Sequence, residues 1–230
     1  MPGDNIIEAF IQARMNSRRF PGKVLYKLNG KPILQYLVES LKQCSSINQV
    51  IVITSTDESD NAIISFCEEH GIDSYRGPLE NVAKRMLDTA NHFNLKSFVR
   101  INGDSPLIDC QIIKRAIRIF ENGDYDLVTN TFPRSFPVGQ SVEVIRTSAF
   151  EIAYRRMSSP DDFEHVTKYY YDHPQEFQIN NFSNGKNLSG YRLVVDTQED
   201  LDRMKTIIYN MTRPHTEYGL DELIELYPSN

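Results

Sequence analysis

The chain places four cations, Arg14, Arg18, Arg19 and Lys23, in one short loop, Ala13-Arg14-Met15-Asn16-Ser17-Arg18-Arg19-Phe20-Pro21-Gly22-Lys23. Guanidinium forks take phosphate oxygens in pairs, and lysine supplies a point charge. The loop is therefore suited to a polyphosphate, although the same composition also fits a solvated surface loop. It is not a Walker loop, because the Gly-x4-Gly-Lys-Ser/Thr spacing is absent. Two acidic segments could complement it. Asp104 stands in Gly103-Asp104-Ser105-Pro106, and Asp196 in Val195-Asp196-Thr197-Gln198-Glu199-Asp200-Leu201. Magnesium is commonly held by one or two carboxylates plus substrate phosphates. Taken singly, the first segment also fits a turn, and the second an ordinary helix cap.

These residues need a scaffold that brings them to one edge. Short apolar runs at 6–11, 50–53, 97–101 and 126–129 predict buried strands. Between them lie helical patterns. Pro32 opens one with Ile33, Leu34, Leu37, Val38 and Leu41 on a face. Ser59 or Asp60 is placed to cap another with Ile63, Phe66 and Cys67. Two more carry Val82, Ala83, Met86, Leu87, Ala90 and Phe93, and Ile112, Ile113, Ala116, Ile117 and Phe120. This alternation predicts an α/β fold, with a mostly parallel sheet covered by helices on both faces. Ligands in such sheets bind at the carboxyl ends of the strands. The basic loop and Asp104 each follow a strand directly.

The pattern loosens after residue 130. Strands are expected at 142–145, 177–182 and 191–195, and helices at 147–157, 161–172 and 198–210. No linker or internal repeat divides the chain, so residues 1–230 are expected to form a single domain. Residues 130–190 form a subregion within it.

Composition excludes several classes. Hydrophobic residues make up 40% and charged residues 24% of 230, an ordinary globular mix. The 25 Lys+Arg and 31 Asp+Glu give a net charge of -6, which argues against nucleic acid as a partner. Cys44, Cys67 and Cys110 are scattered and odd in number, the pattern of free thiols. No targeting pattern or membrane-length apolar run is visible, so a cytoplasmic location is expected.

The ordered set of motifs resembles a known family. Beyond the segments above, it includes Leu28-Asn29-Gly30-Lys31-Pro32, Asn102 before Gly103, and Glu164-His165-Val166-Thr167. Together they are similar to the cytidylyltransferases that make CMP-activated sugars, in particular the branch of the spore coat polysaccharide biosynthesis protein SpsF. The CMP-Kdo and CMP-sialic acid synthetases are more distant. The resemblance implies a Rossmann-like, GT-A type nucleotidyltransferase using CTP, Mg2+ and a small acidic sugar for polysaccharide or glycan biosynthesis.

By motif position, it implies catalytic roles for Arg14, Lys23, Asp104 and Asp196. Nucleotide contacts would come from Ala13, Arg14, Arg19, Lys23, Arg85, Asn102 and Asp104. Asp104 and Asp196 would hold the metal. Gln140, Glu143, Glu164 and His165 would lie on the sugar side. The chain departs from the pattern at Asn16, Arg18, Asn102 and Ser141, the last standing where such chains often carry aspartate. A homodimer is implied as well, and the aromatic residues Phe132, Phe136, Phe163, Tyr169, Tyr170, Phe177 and Phe182 suggest its interface.

Two other readings remain open. A glycosyltransferase of similar fold would need paired acids beside a diphosphate. Asp124-Tyr125-Asp126 is the near match, but it precedes its strand and so falls at the wrong end of the sheet. A non-catalytic nucleotide-binding relative would have no need to keep Arg14, Lys23, Asp104 and Asp196 together.

Overall fold

The computed structural model describes residues 7–228. Ile6, the first residue of the first expected strand, lies outside them. In chain order the elements are β1 (Ile7–Gln12), β2 (Lys27–Leu28), β3 (Lys31–Pro32), α1 (Ile33–Lys42), β4 (Ile47–Ser55), α2 (Asn61–Glu69) and β5 (Asp73–Gly77). Then come α3 (Val82–His92), β6 (Ser97–Asn102), α4 (Cys110–Glu121), β7 (Leu127–Thr129), β8 (Glu143–Arg146) and α5 (Thr147–Arg156). The last are α6 (Pro160–Glu164), α7 (Lys168–Asp172), β9 (Ile179–Asn181), α8 (Gln198–Tyr209) and α9 (Leu220–Glu225).

Seven strands form one sheet in the order β5-β4-β1-β6-β8-β7-β9. All neighbours are parallel except β8, which runs antiparallel to both β6 and β7. The side-chain period of two divides each strand between two cores. Ile7, Ala9 and Ile11 of β1 pack into the larger core with α1, α2, α4 and α8. Phe10 faces the other side with α3, α5 and α7, where it stacks on Phe98 at 4.5 Å between ring centroids. Burial on both faces explains why these strands read as continuous apolar runs.

Three expectations need correction. The 191–195 segment is extended but joins the sheet nowhere; its cross-chain pairing is a single bridge from Arg192 to Val138. Its Val195 N–H is spent instead on the Asp104 carbonyl, at 2.9 Å. The helix expected over 161–172 breaks into α6 and α7 at residues 165–167. Finally, most of the aromatic residues that suggested an interface are internal. Phe136, Tyr169, Tyr170, Phe177 and Phe182 are buried within this chain, whereas Phe132 is exposed and stacked on Tyr171.

A charged knot holds the 192–203 segment. Asp200 is 2% exposed and accepts two hydrogen bonds from Arg192, both at 2.9 Å, and one from Arg203 at 2.7 Å. It also accepts from the Asp196 N–H at 3.1 Å, which fixes the backbone that carries Asp196. Burial pushes the Asp200 carboxyl up, but the hydrogen bonds from Arg192 and Arg203 outweigh it and hold the pKa at about 2. An unfolded aspartate titrates near ~3.9. Because the folded value lies below the unfolded one, the stabilisation is full at neutral pH and is lost as pH falls through about 2. Urea midpoints of wild type and Asp200→Asn should therefore differ at pH 7 and draw together as pH falls toward about 2. A gap independent of pH would contradict this reading.

Candidate active site

The basic loop is anchored before it reaches its charges. Gln12 ends β1, and the Ala13 N–H still bonds to the Ile53 carbonyl of β4 at 3.0 Å. Asp60, 1% exposed, accepts from the Met15 N–H at 2.7 Å, from the Ser55 N–H at 3.0 Å, and from the Ser55 hydroxyl. Asp60 stands at the N-cap position of α2, as expected, but its side chain makes no capping hydrogen bond there; the turn before that helix is capped by Asp57, which accepts from the Ser59 N–H. The Gly22 N–H then returns to the Met15 carbonyl, closing the loop and delivering Lys23 at the start of a 3-10 turn.

Lys23 points into the gap between the two acidic segments. Its Nζ donates to Asp104 Oδ2 and to Asp196 Oδ1, both at 2.6 Å. Arg19 reaches the other oxygen of Asp196 at 2.9 Å. Asp104 comes from the turn after β6, and Gly103 makes that turn possible. A Cβ at Gly103 would lie 2.9 Å from the Gln12 carbonyl oxygen and 3.1 Å from Ala13 Cβ. Glycine thus lets the acidic turn press against the basic loop. The two carboxylates expected at one edge do meet, although Asp196 arrives on an extended segment tied to Asp104 rather than on a sheet strand.

Beside this cluster one face of the sheet turns from apolar to polar. Along it Phe10 is followed by Gln12, Phe98 by Arg100 and Asn102, Leu127 by Thr129, and, in the opposite chain direction, Ile145 by Glu143. Arg100 donates to Gln12 Oε1 at 3.0 Å and to Asn102 Oδ1 at 3.3 Å, and pairs with Glu143. Thr167 and the Tyr171 hydroxyl donate to Glu143 at 2.7 and 2.6 Å. Burial would raise the Glu143 pKa, but the Arg100 charge and these donors hold it below the usual carboxylate range. At the margin, Arg14 pairs with Glu164 of α6 at 2.6 Å. The break between α6 and α7 thus lets Glu164 meet Arg14 while Thr167 and Tyr171 meet Glu143.

Comparisons with known proteins give the family. A family model described as cytidylyltransferase matches residues 9–227. The chain belongs to the cytidylyltransferase family. It is 29% identical to the spore coat polysaccharide biosynthesis protein SpsF of Bacillus subtilis, over 98% of this chain and 95% of that one. A solved cytidylyltransferase from Leptospira borgpetersenii superposes with a TM-score of 0.90 at 30% identity, covering 96% of this chain and 92% of the other. A CMP:2-keto-3-deoxy-manno-octonic acid synthetase solved with CTP shares the fold, with a TM-score of 0.69 at 15% identity, covering 89% of this chain and 98% of that one. The architecture is that of a Rossmann-like nucleotidyltransferase.

Within this cytidylyltransferase, some expected site residues stand elsewhere. Gln140 is fully buried, and its amide is used at both ends: Oε1 accepts from the Asp109 N–H at 2.9 Å, and Nε2 donates to the Leu107 carbonyl at 2.6 Å. It ties down a loop and offers nothing to a sugar. Glu143 is saturated by Arg100, Thr167 and Tyr171, so it braces the polar floor rather than presenting a free ligand. His165 is exposed and turned toward Asp161 at 3.4 Å. Arg85 is fully buried; it donates to the Pro78 carbonyl at 3.1 Å, while its Nε and Nη2 have no hydrogen-bond partner among the described residues. Burial pushes its pKa down to about 10, with Asp60, Arg14 and Glu164 as its charged surroundings. Asp124 is exposed and Asp126 faces Arg146, at the amino end of β7 and away from the cluster.

Sequence reasoning missed Asp60, Arg100 and Asp200, which touch the site through other residues. Asp60→Ala would leave the Met15 and Ser55 N–H groups without their acceptor. Stability to urea should fall by about 1–3 kcal/mol, and CTP affinity measured calorimetrically should fall with it. Unchanged CTP affinity in a folded variant would contradict the anchoring role.

Proposed function

We propose that this cytidylyltransferase transfers CMP from CTP to a hydroxyl of a small acidic sugar, with release of pyrophosphate and with Mg2+ as cofactor. The product would feed surface polysaccharide or glycan synthesis. The observation that carries the proposal is the meeting of Lys23, Arg19, Asp104 and Asp196 beside the turn after β6. The acidic sugar is supported by the fold shared with the synthetase that acts on a keto-deoxy sugar acid.

The donor set fits a hard divalent cation. Asp104 and Asp196 aim one oxygen each at a single point, and their side chains are 20% and 15% exposed. Two carboxylates and no further protein ligand suit magnesium completed by phosphate oxygens and water. Among the described residues no group of three or more His, Cys, Asp or Glu forms a cage of its own. When bound, the ion would supply charge neutralisation at the phosphates.

The chain's own residues would do the rest. Lys23 and Arg19 would turn from the carboxylates to the β- and γ-phosphates and stabilise the charge that accumulates on the leaving pyrophosphate. Arg14 would exchange Glu164 for a phosphate oxygen in the same way. The polar face of Gln12, Arg100 and Asn102 would receive the base. Positioning the sugar hydroxyl in line with the α-phosphate would supply much of the remaining acceleration. No covalent enzyme intermediate is needed for a single displacement. A homodimer and a cytoplasmic location belong to the same reading and are supported by family resemblance. Among the described residues no helix is long and apolar enough to cross a membrane.

The test is pyrophosphate release with each common nucleoside triphosphate against a panel of acidic and neutral sugars. CTP with an acidic sugar should be preferred. Asp104→Ala and Asp196→Ala should each lower the rate by roughly 10²-fold or more, while circular dichroism remains native. Full pyrophosphate release by either variant would overturn the proposal.

A further inference from the structure

Arg134 lies in the connection between β7 and β8, and its guanidinium is half-buried. Its hydrogen bonds go to neutral oxygens, the Pro137 carbonyl at 3.4 Å and the Ser141 hydroxyl at 3.0 Å. Among the described residues no carboxylate forms an ion pair with it. The negative charge it senses is Glu143, whose two oxygens are already taken by Arg100, Thr167 and Tyr171. A partly desolvated guanidinium without a counter-ion is costly, and an anionic ligand would relieve that cost.

The position of Arg134 matters as much as its charge. In the β6–β8 ladder Arg100 pairs with Glu143, in antiparallel register. Continuing that register by two residues sets Ser141 opposite Asn102, immediately before the Gly103-Asp104 turn. In the β7–β8 ladder Thr129 pairs with Glu143, so Thr131 falls beside Ser141, and Thr131 itself bridges to Arg134. The connection is fixed where it turns. Gly139 has φ +99, and a Cβ there would lie 2.1 Å from the Leu193 carbonyl oxygen, which only glycine permits. Arg134 and Ser141 are therefore held at the same sheet edge as Asn102 and Asp104, on the side away from the basic loop. Phe132, stacked on Tyr171 at 4.7 Å between ring centroids, forms an aromatic wall next to them.

We propose that Arg134 binds the carboxylate of the acidic sugar, and that Ser141, being neutral, leaves the guanidinium available for it. This assignment rests on the acidic-sugar reading above. It makes Arg134 a specificity-determining residue, because a sugar lacking the carboxylate would leave the guanidinium unpaired. It also gives Ser141 a definite role. A carboxylate at that position would lie within reach of Arg134 and compete with the substrate.

The experiment uses the full chain, CTP, the acidic sugar of the panel with the highest turnover, and that sugar's carboxamide. The variants are Arg134→Gln, Arg134→Lys and Ser141→Asp. KM for the acidic sugar should rise about tenfold or more in Arg134→Gln and Ser141→Asp, and less in Arg134→Lys. KM for CTP serves as the internal control and should move far less. Preference for the acid over the carboxamide should collapse in Arg134→Gln. Ser141→Asp separates binding from mere structure: it keeps the arginine and offers it an internal ion pair, so thermal stability should hold or rise while sugar binding weakens. An unchanged sugar KM in Arg134→Gln, or equal losses for acid and carboxamide, would overturn the assignment and leave the acidic-sugar reading standing. A wild-type enzyme that turns over no acidic sugar would sink that reading, and this assignment with it.

Discussion

Two carboxylates aimed at one point require a cation between them, and much of this site follows from that constraint. Asp104 and Asp196 are both 2.6 Å from the Lys23 ammonium. Left uncompensated, they would repel one another. The surrounding structure serves to make them meet. Gly103 lets the turn after β6 press on the basic loop, the Asp104 carbonyl holds the Val195 N–H, and Asp200 fixes the Asp196 backbone. Lys23 is thus a tether and a charge at once. Together with Arg19 it balances the two negative charges of the cluster.

The same economy runs through the neighbouring charges. Arg14 rests on Glu164, Arg19 on Asp196, and Arg100 on Glu143. Arg14 and Arg19 are the more exposed guanidiniums, so their attraction to these partners is screened, and a triphosphate can compete for them. Arg100–Glu143 is buried and further hydrogen-bonded, which suits it to a fixed floor rather than an exchangeable contact. Among these three arginines, exposure separates the two guanidiniums that can leave their partners from the one that holds the pocket in shape.

Much of this was legible in the sequence. Apolar runs and helical periodicity placed the strands and helices that deliver the basic loop and Asp104, because both-face burial leaves a strong local signal. What escaped were features defined by partners distant in the chain. The polar face of β1, β6, β7 and β8 is only one or two residues per strand, such as Gln12 or Arg100 and Asn102, and becomes a surface only once the register is known. Gln140 and Glu143 sit in a motif-like stretch, yet their partners, Leu107, Asp109 and Arg100, come from elsewhere and turn them inward. The edge strand Asp73-Ser74-Tyr75-Arg76-Gly77 went unread because it is mostly polar. The aromatic residues of 130–190 looked like an interface because their cores could not be seen from composition.

On the proposed reading, Lys23 exchanges its carboxylates for phosphates when the nucleotide binds. A crystal structure of the full chain with a non-hydrolysable CTP analogue and Mg2+ tests it directly. Lys23 Nζ should then lie on a phosphate oxygen, with Asp104 and Asp196 holding the metal. A bound nucleotide with Lys23 still bridging both carboxylates, and the metal held elsewhere, would contradict it.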